Sequence, residues 1–132
     1  MHRLLWLSTL LLVLAFPAGA LATSGTGTSP GLSVSVSLAP DTAANGDTVT
    51  ANESVTNTST TKQSVAITNT LTDPTGGIVT RTTRVVLKPG EAFTQTATYV
   101  VDPSDARGTY TLSVTASAQS GTATASAQVT YV

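Results

Sequence analysis

The clearest periodicity in the chain runs from Leu32 to Leu38, L-S-V-S-V-S-L, where Leu32, Val34, Val36 and Leu38 alternate with serines. A period of two places the apolar set on one face of an extended strand and the hydroxyls on the other. The pattern returns six times. It predicts strands over 48–56, around Val65, Ile67 and Leu71, over 78–87, over 92–101, over 110–118 and over 122–132. The intervening segments are turn chemistry: A-P-D-T-A-A-N-G-D (39–47), D-P-T-G-G (73–77), K-P-G-E (88–91), D-P-S-D-A-R-G (102–108) and Q-S-G-T (119–122). Seven short strands spaced about a dozen residues apart, with no helical period after residue 22, predict an all-β sandwich.

The two ends read differently. M-H-R followed by the apolar run Leu4–Phe16 and the small residues Ala18-Gly19-Ala20-Leu21-Ala22 has the layout of a secretory signal peptide, with cleavage expected after Ala22. The run is shorter than the roughly 18 to 20 apolar residues of a membrane span. Export to the extracellular space or periplasm follows as an expectation. Residues 23–31, T-S-G-T-G-T-S-P-G, offer no apolar side chain and are expected to form a flexible leader whose removal changes little. One domain is then expected over 32–132.

Export would remove the chain's single histidine, His2, and single tryptophan, Trp6, and there is no cysteine. From Thr23 onward seven acids face five bases, a net charge of −2. Nucleic acid or an anionic membrane calls for clustered basic residues, and neither is expected as a partner. Catalysis normally needs a positioned histidine, cysteine or carboxylate pair. No catalytic, cofactor-binding or metal-binding residue is therefore assigned. Asp41–Asp47 and Asp102–Asp105 offer oxygen ligands of the kind calcium takes, but neither has the spacing of an EF-hand loop, and both are ordinary turns. The aromatics Phe93, Tyr99, Tyr110 and Tyr131 all have inward parity, which suits core packing rather than a carbohydrate platform.

Several segments taken in order resemble bacterial immunoglobulin-like domains of the cell-adhesion-related (CARDB) type. They are N-G-D-T-V-T (45–50), S-V-T-N-T-S (54–59), L-K-P-G-E (87–91) and R-G-T-Y-T-L-S-V (107–114). The resemblance implies a seven-stranded Greek-key sandwich and a non-catalytic role in adhesion, assembly or spacing. On this reading Tyr110 forms a tyrosine corner, its hydroxyl bonded to backbone near Asp105 or Ala106.

Three residue-level expectations remain. Asn57 is suited to end its strand by bonding nearby backbone. It also begins an N-glycosylation pattern, as does Asn52. Glu53 shares parity with Val49, Ala51 and Val55, so a bulge near Asn52 is expected to turn it outward; the alternative is a polar pair across the core with Asn69. Finally, 32–38 and 122–132 contain no charge and no proline, the residues that ordinarily guard sheet edges. An unguarded edge could add another chain's strand, but these strands are expected instead to pair with each other and with inner strands. The partner is another protein, or a further copy in a filament; a proteinase-inhibitor loop at 102–107 is a third reading.

Overall fold

A computed structural model describes residues 21–132; the signal-peptide expectation falls almost wholly outside them. The described chain is all-β. Nine strands form two sheets, β1 (Thr23–Ser29), β2 (Leu32–Ala39), β3 (Thr42–Ala43), β4 (Thr48–Asn57), β5 (Gln63–Thr72), β6 (Ile78–Leu87), β7 (Ala92–Val100), β8 (Gly108–Ala118) and β9 (Gly121–Tyr131). One sheet has the order β1-β2-β4-β7 and the other β3-β9-β8-β5-β6. All pairings are antiparallel except the short parallel contact of β3 with β9.

The seven expected strands are all present, and their inward parities form the core between the sheets. Leu32, Val34, Val36, Leu38, Val55 and Val49 of one sheet face Val65, Ile67, Leu112 and Val114 of the other, each nearly or wholly removed from water. The opposite faces carry hydroxyls. By register Thr124, Thr115, Thr68 and Thr82 line up across four strands. Their side chains pair at the ends of that row, Thr115 with Thr124 at 3.0 Å and Thr68 with Thr82 at 3.1 Å.

Two strands exceed the expected seven. β3 is a two-residue bridge after the cis Ala39–Pro40 peptide. β1 is the larger correction, because it is built from the residues expected to be a flexible leader. All seven of its positions pair with β2, from Thr23 opposite Leu38 to Ser29 opposite Leu32. Pro30 and Gly31 turn the hairpin, Gly31 at φ +82°, a value that glycine alone adopts without strain. The leader reading failed because it sought apolar side chains. The inward positions of β1 are Gly25 and Gly27, and they bury backbone instead. A Cβ on either would collide with the carbonyl oxygens of Ser126 and Thr124 on β9. Thr23 completes the contact, its hydroxyl donating to Gln128 O at 2.5 Å and accepting from Gln128 N at 3.0 Å.

This placement agrees with the expectation that the uncharged terminal strands pair with inner strands, although they do not pair with each other. β2 lies between β1 and β4, and β9 lies between β3 and β8 with β1 against it. The uncharged terminal strands are interior, and the sheet edges are β1, β7, β3 and β6. Removing 23–31 would expose the hydrogen-bonding edge of β2, so it is not the neutral deletion the leader reading implies.

Two substitutions separate packing of β1 from mere tethering. Gly27→Val should cost about 1 to 3 kcal/mol, the usual penalty for overfilling a packed contact. Thr26→Val, on the outward face, should stay within about 0.5 kcal/mol. Urea denaturation of both variants reads the difference, and equal midpoints would mean β1 is not packed on β9.

Candidate functional site

The polar groups inside the sandwich are structural, and they come first because they hold the outer features in place. Asn57 is fully buried at the end of β4. Its Nδ2 donates to Thr61 O at 2.8 Å and Leu87 O at 2.9 Å. Its Oδ1 accepts from Ser59 N, Ser59 Oγ and Gln63 Nε2 at 2.7 to 2.9 Å. Every donor and acceptor of the amide is engaged, as the strand-ending reading requires, and the nitrogen a glycan would need is closed off in the folded chain. Gln63 extends the network by donating to Gly31 O at 3.1 Å, joining the β1–β2 turn to the other sheet.

Glu53 stays in the core. β4 pairs without interruption on both sides of it, Val36 on β2 and Gln95 on β7 standing opposite. The expected bulge is absent, and the alternative arrangement is found: Asn69 on β5 donates from Nδ2 to Glu53 Oε2 at 3.2 Å. A bulge would have broken two ladders to free one side chain, and backbone groups buried without partners are costly. Glu53 is 8% exposed, and burial pushes its carboxyl up to about 7 against an ordinary 4.5, with the Asn69 N–H offsetting part of the rise. Asn69 Oδ1 has no hydrogen-bond partner. A protonated Glu53 carries the donor that this oxygen lacks.

The acidic turns spend their carboxylates on their own backbone. Asp47 accepts from Ala44 N, Asp73 from Thr75 N and Gly77 N, and Asp102 from Ser104 N and Oγ. Asp105 is buried and accepts from Tyr99 OH at 2.6 Å and Asp102 N at 2.9 Å. Among the described residues no three acids or histidines converge on a point that a metal ion would occupy. Tyr110 donates to Ala106 O at 2.8 Å, which is the expected tyrosine corner. Its ring lies 4.2 Å from that of Tyr131. Burial, reinforced by Asp105 and Asp73, pushes the Tyr110 phenol up to about 12.

Outside the core, a cleft of about 360 Å³ lies on the outer face of the β1 sheet, among Ser24, Thr26, Ser35, Ser37, Asn52 and Thr96. Glu53 also borders it, but its carboxylate is turned through the sheet to Asn69. The cleft therefore presents hydroxyls and an amide, and no histidine, cysteine, lysine or arginine lines it.

The side of the sandwich formed by β6 and β7 is different in kind. β6 is exposed along nearly all its length, including Ile78, Val79 and Val86 at 63, 38 and 60%. β7 ends its sheet and contains neither a charged residue nor a proline. The property sought at the terminal strands thus belongs to β7. Four of the five bases from Thr23 onward (Lys62, Arg81, Arg84 and Lys88) lie on or beside β6, whereas the five aspartates lie in the loops at one end of the sandwich. Parity along the sequence could have found the basic edge; only the strand order could show that it borders an open side.

No protein-family model and no curated protein matches the chain. Solved structures do. A β-glucosidase, EmGH1, from Erythrobacter marinus superposes with a TM-score of 0.52 at 16% identity, over 83% of this chain and 16% of the enzyme. The alkylpurine DNA glycosylase AlkC of Pseudomonas fluorescens, bound to DNA containing an abasic site analog, gives 0.51 at 12% identity, over 87% of this chain and 31% of that one. The chain spans a small part of each, and the likeness is one of fold.

Two measurements follow. Between pH 4.5 and 7 folded Glu53 holds its proton while the unfolded chain loses it, so stability should fall as pH rises through this window and level off above it. The shift is worth up to about 3 kcal/mol. Glu53→Gln should remove that slope and be the more stable protein above pH 7, as chemical denaturation at several pH values would show; parallel pH profiles would mean Glu53 ionises normally. Tyr110→Phe should cost about 1 to 3 kcal/mol, because Ala106 O loses its buried donor. An unchanged midpoint would remove the corner from the account of stability.

Proposed function

We propose that this chain is an exported, non-catalytic immunoglobulin-like module of the cell-adhesion-related kind, whose role is to bind another protein. The strand order supports the type. Read as A (β2), B (β4) and E (β7) in one sheet against C′ (β6), C (β5), F (β8) and G (β9) in the other, the connections follow the Greek key of such sandwiches, with the tyrosine corner at the start of F. β1 is then an addition before A. The non-catalytic part rests on composition: from Thr23 onward there is no histidine and no cysteine, and six of the seven carboxylates accept hydrogen bonds within turns or from Asn69.

The observation that carries the binding role is that β7, uncharged along its length, ends its sheet beside an exposed β6. An edge of that kind is normally blunted, because it invites pairing with another chain. The filament reading, in which β2 is donated to a neighbour, receives less support, since β2 is paired on both sides within its own chain.

Secreted protein should have the intact mass of a chain beginning at Thr23. It should run as a monomer across concentration, with β2 amides protected from exchange in dilute solution. Val34→Lys should destabilise that monomer by several kcal/mol, about the cost of an unpaired charge in a core. Retention of the first 22 residues would overturn export with cleavage. Concentration-dependent oligomers with unprotected β2 amides would replace the module by the filament subunit.

A further inference from the structure

We infer that β7, the last strand of its sheet, takes up an extended peptide as an added strand, and that this peptide carries an acidic residue flanked, two positions away on each side, by apolar ones. The inference rests on the protein-binding reading above and adds the chemistry of the partner.

β7 ends its sheet and carries no charge to repel a new strand. Strand addition draws affinity from main-chain hydrogen bonds and specificity from alternate side chains. The alternate side chains of an added strand would enter the gap between the sheets. Phe93 and Tyr99 of β7 reach into that gap and are only partly covered by the core. Across it, β6 presents Val79, Arg81, Thr83 and Val85 at inward parity, as their pairing with Leu71, Asn69, Ile67 and Val65 of β5 requires. Val79, Arg81 and Thr83 are exposed, and Val85 is half-buried.

The registers fix the levels. Arg81 stands opposite Asn69, Asn69 bonds Glu53 across the core, and Glu53 stands opposite Gln95. Arg81 and Gln95 therefore face the gap at one height. β6 and β7 run in opposite directions, so Val85 lies toward Phe93 and Val79 toward Tyr99. A strand laid along β7 sends its central inward side chain to Arg81, and its neighbours two residues away to Val79 beside Ala97 and to Phe93 beside Thr83. Glu53 is the acid nearest this level, and it is turned into the core toward Asn69. A carboxylate on the incoming strand complements Arg81, the charged residue that β6 turns toward the gap. A second copy joined through its own β7 would instead lay an uncharged strand against Arg81, with no carboxylate to complement it. Charge complementarity with Arg81 therefore makes the occupant an acidic partner.

The test uses the secreted protein and three blocked heptapeptides, T-V-T-E-T-V-T and its central lysine and glutamine counterparts, followed by amide exchange and calorimetry. The glutamate peptide should slow exchange in 92–100 and bind about tenfold more tightly than the lysine peptide. Arg81→Glu, at an exposed position, should reverse that preference without moving the thermal midpoint. Equal binding of the glutamate and lysine peptides, or no protection of β7 at millimolar peptide, would overturn the inference. So would protection of β7 that appears with protein concentration alone, which would make a second copy the occupant. Peptide binding that protects another surface and ignores Arg81 would overturn this site and leave the protein-binding reading standing. Failure of that broader reading has a different signature, association through β2 without any peptide.

Discussion

The contact on which the rest of the architecture depends is backbone against backbone: the two inward glycines of β1 lying on the carbonyls of Ser126 and Thr124. A sandwich has two open sides, and each exposes strand edges and core flanks. Here one side is sealed without any large side chain, because glycine lets two main chains approach to a distance that a Cβ would forbid. β1 simultaneously satisfies the outer edge of β2. The protein is left asymmetric, closed where β1 meets β9 and open where β6 and β7 end their sheets.

Inside, register is held by polar groups as well as by apolar fill. A core of valine, alanine and leucine gives limited shape information, because a two-residue slip places similar side chains in similar positions. Glu53 with Asn69, and Asn57 with Gln63, Leu87 and Thr61, break that degeneracy, since each amide or carboxylate meets its partner in one register only. The two devices differ in cost. Asn57 satisfies all its hydrogen-bonding groups, whereas the Glu53 pair leaves Asn69 Oδ1 alone and a carboxyl that favours its proton. The second is the weaker element at neutral pH, and it lies at the same height as Arg81 on the open side.

Surface chemistry follows a similar division. The outer sheet faces are largely serine and threonine, and on the sheet that holds β5, β6, β8 and β9 their hydroxyls pair across strands. The acids gather in the end loops, where turn geometry uses their oxygens, and the bases gather along β6. A field of opposite signs on adjacent parts of a small domain steers an approaching charged partner toward one side.

The sequence by itself determined the strands, their inward faces and the turns between them, because period-two alternation and Pro-Gly-Asn-Asp punctuation are local properties. It also determined that Asn57 closes its strand and that Tyr110 makes a corner, since the bonds to Ser59, Thr61 and Ala106 reach only a few residues. The alternation around Glu53 carried the buried arrangement as well, and the fold kept that parity because breaking two ladders costs more than burying one protonatable group. Tertiary structure alone decided which strands are edges. Edge status depends on what lies beside a strand in space, and β1, with nothing apolar to announce it, took its place through contact with a strand about a hundred residues away. For the same reason the open side passed from the termini to β6 and β7.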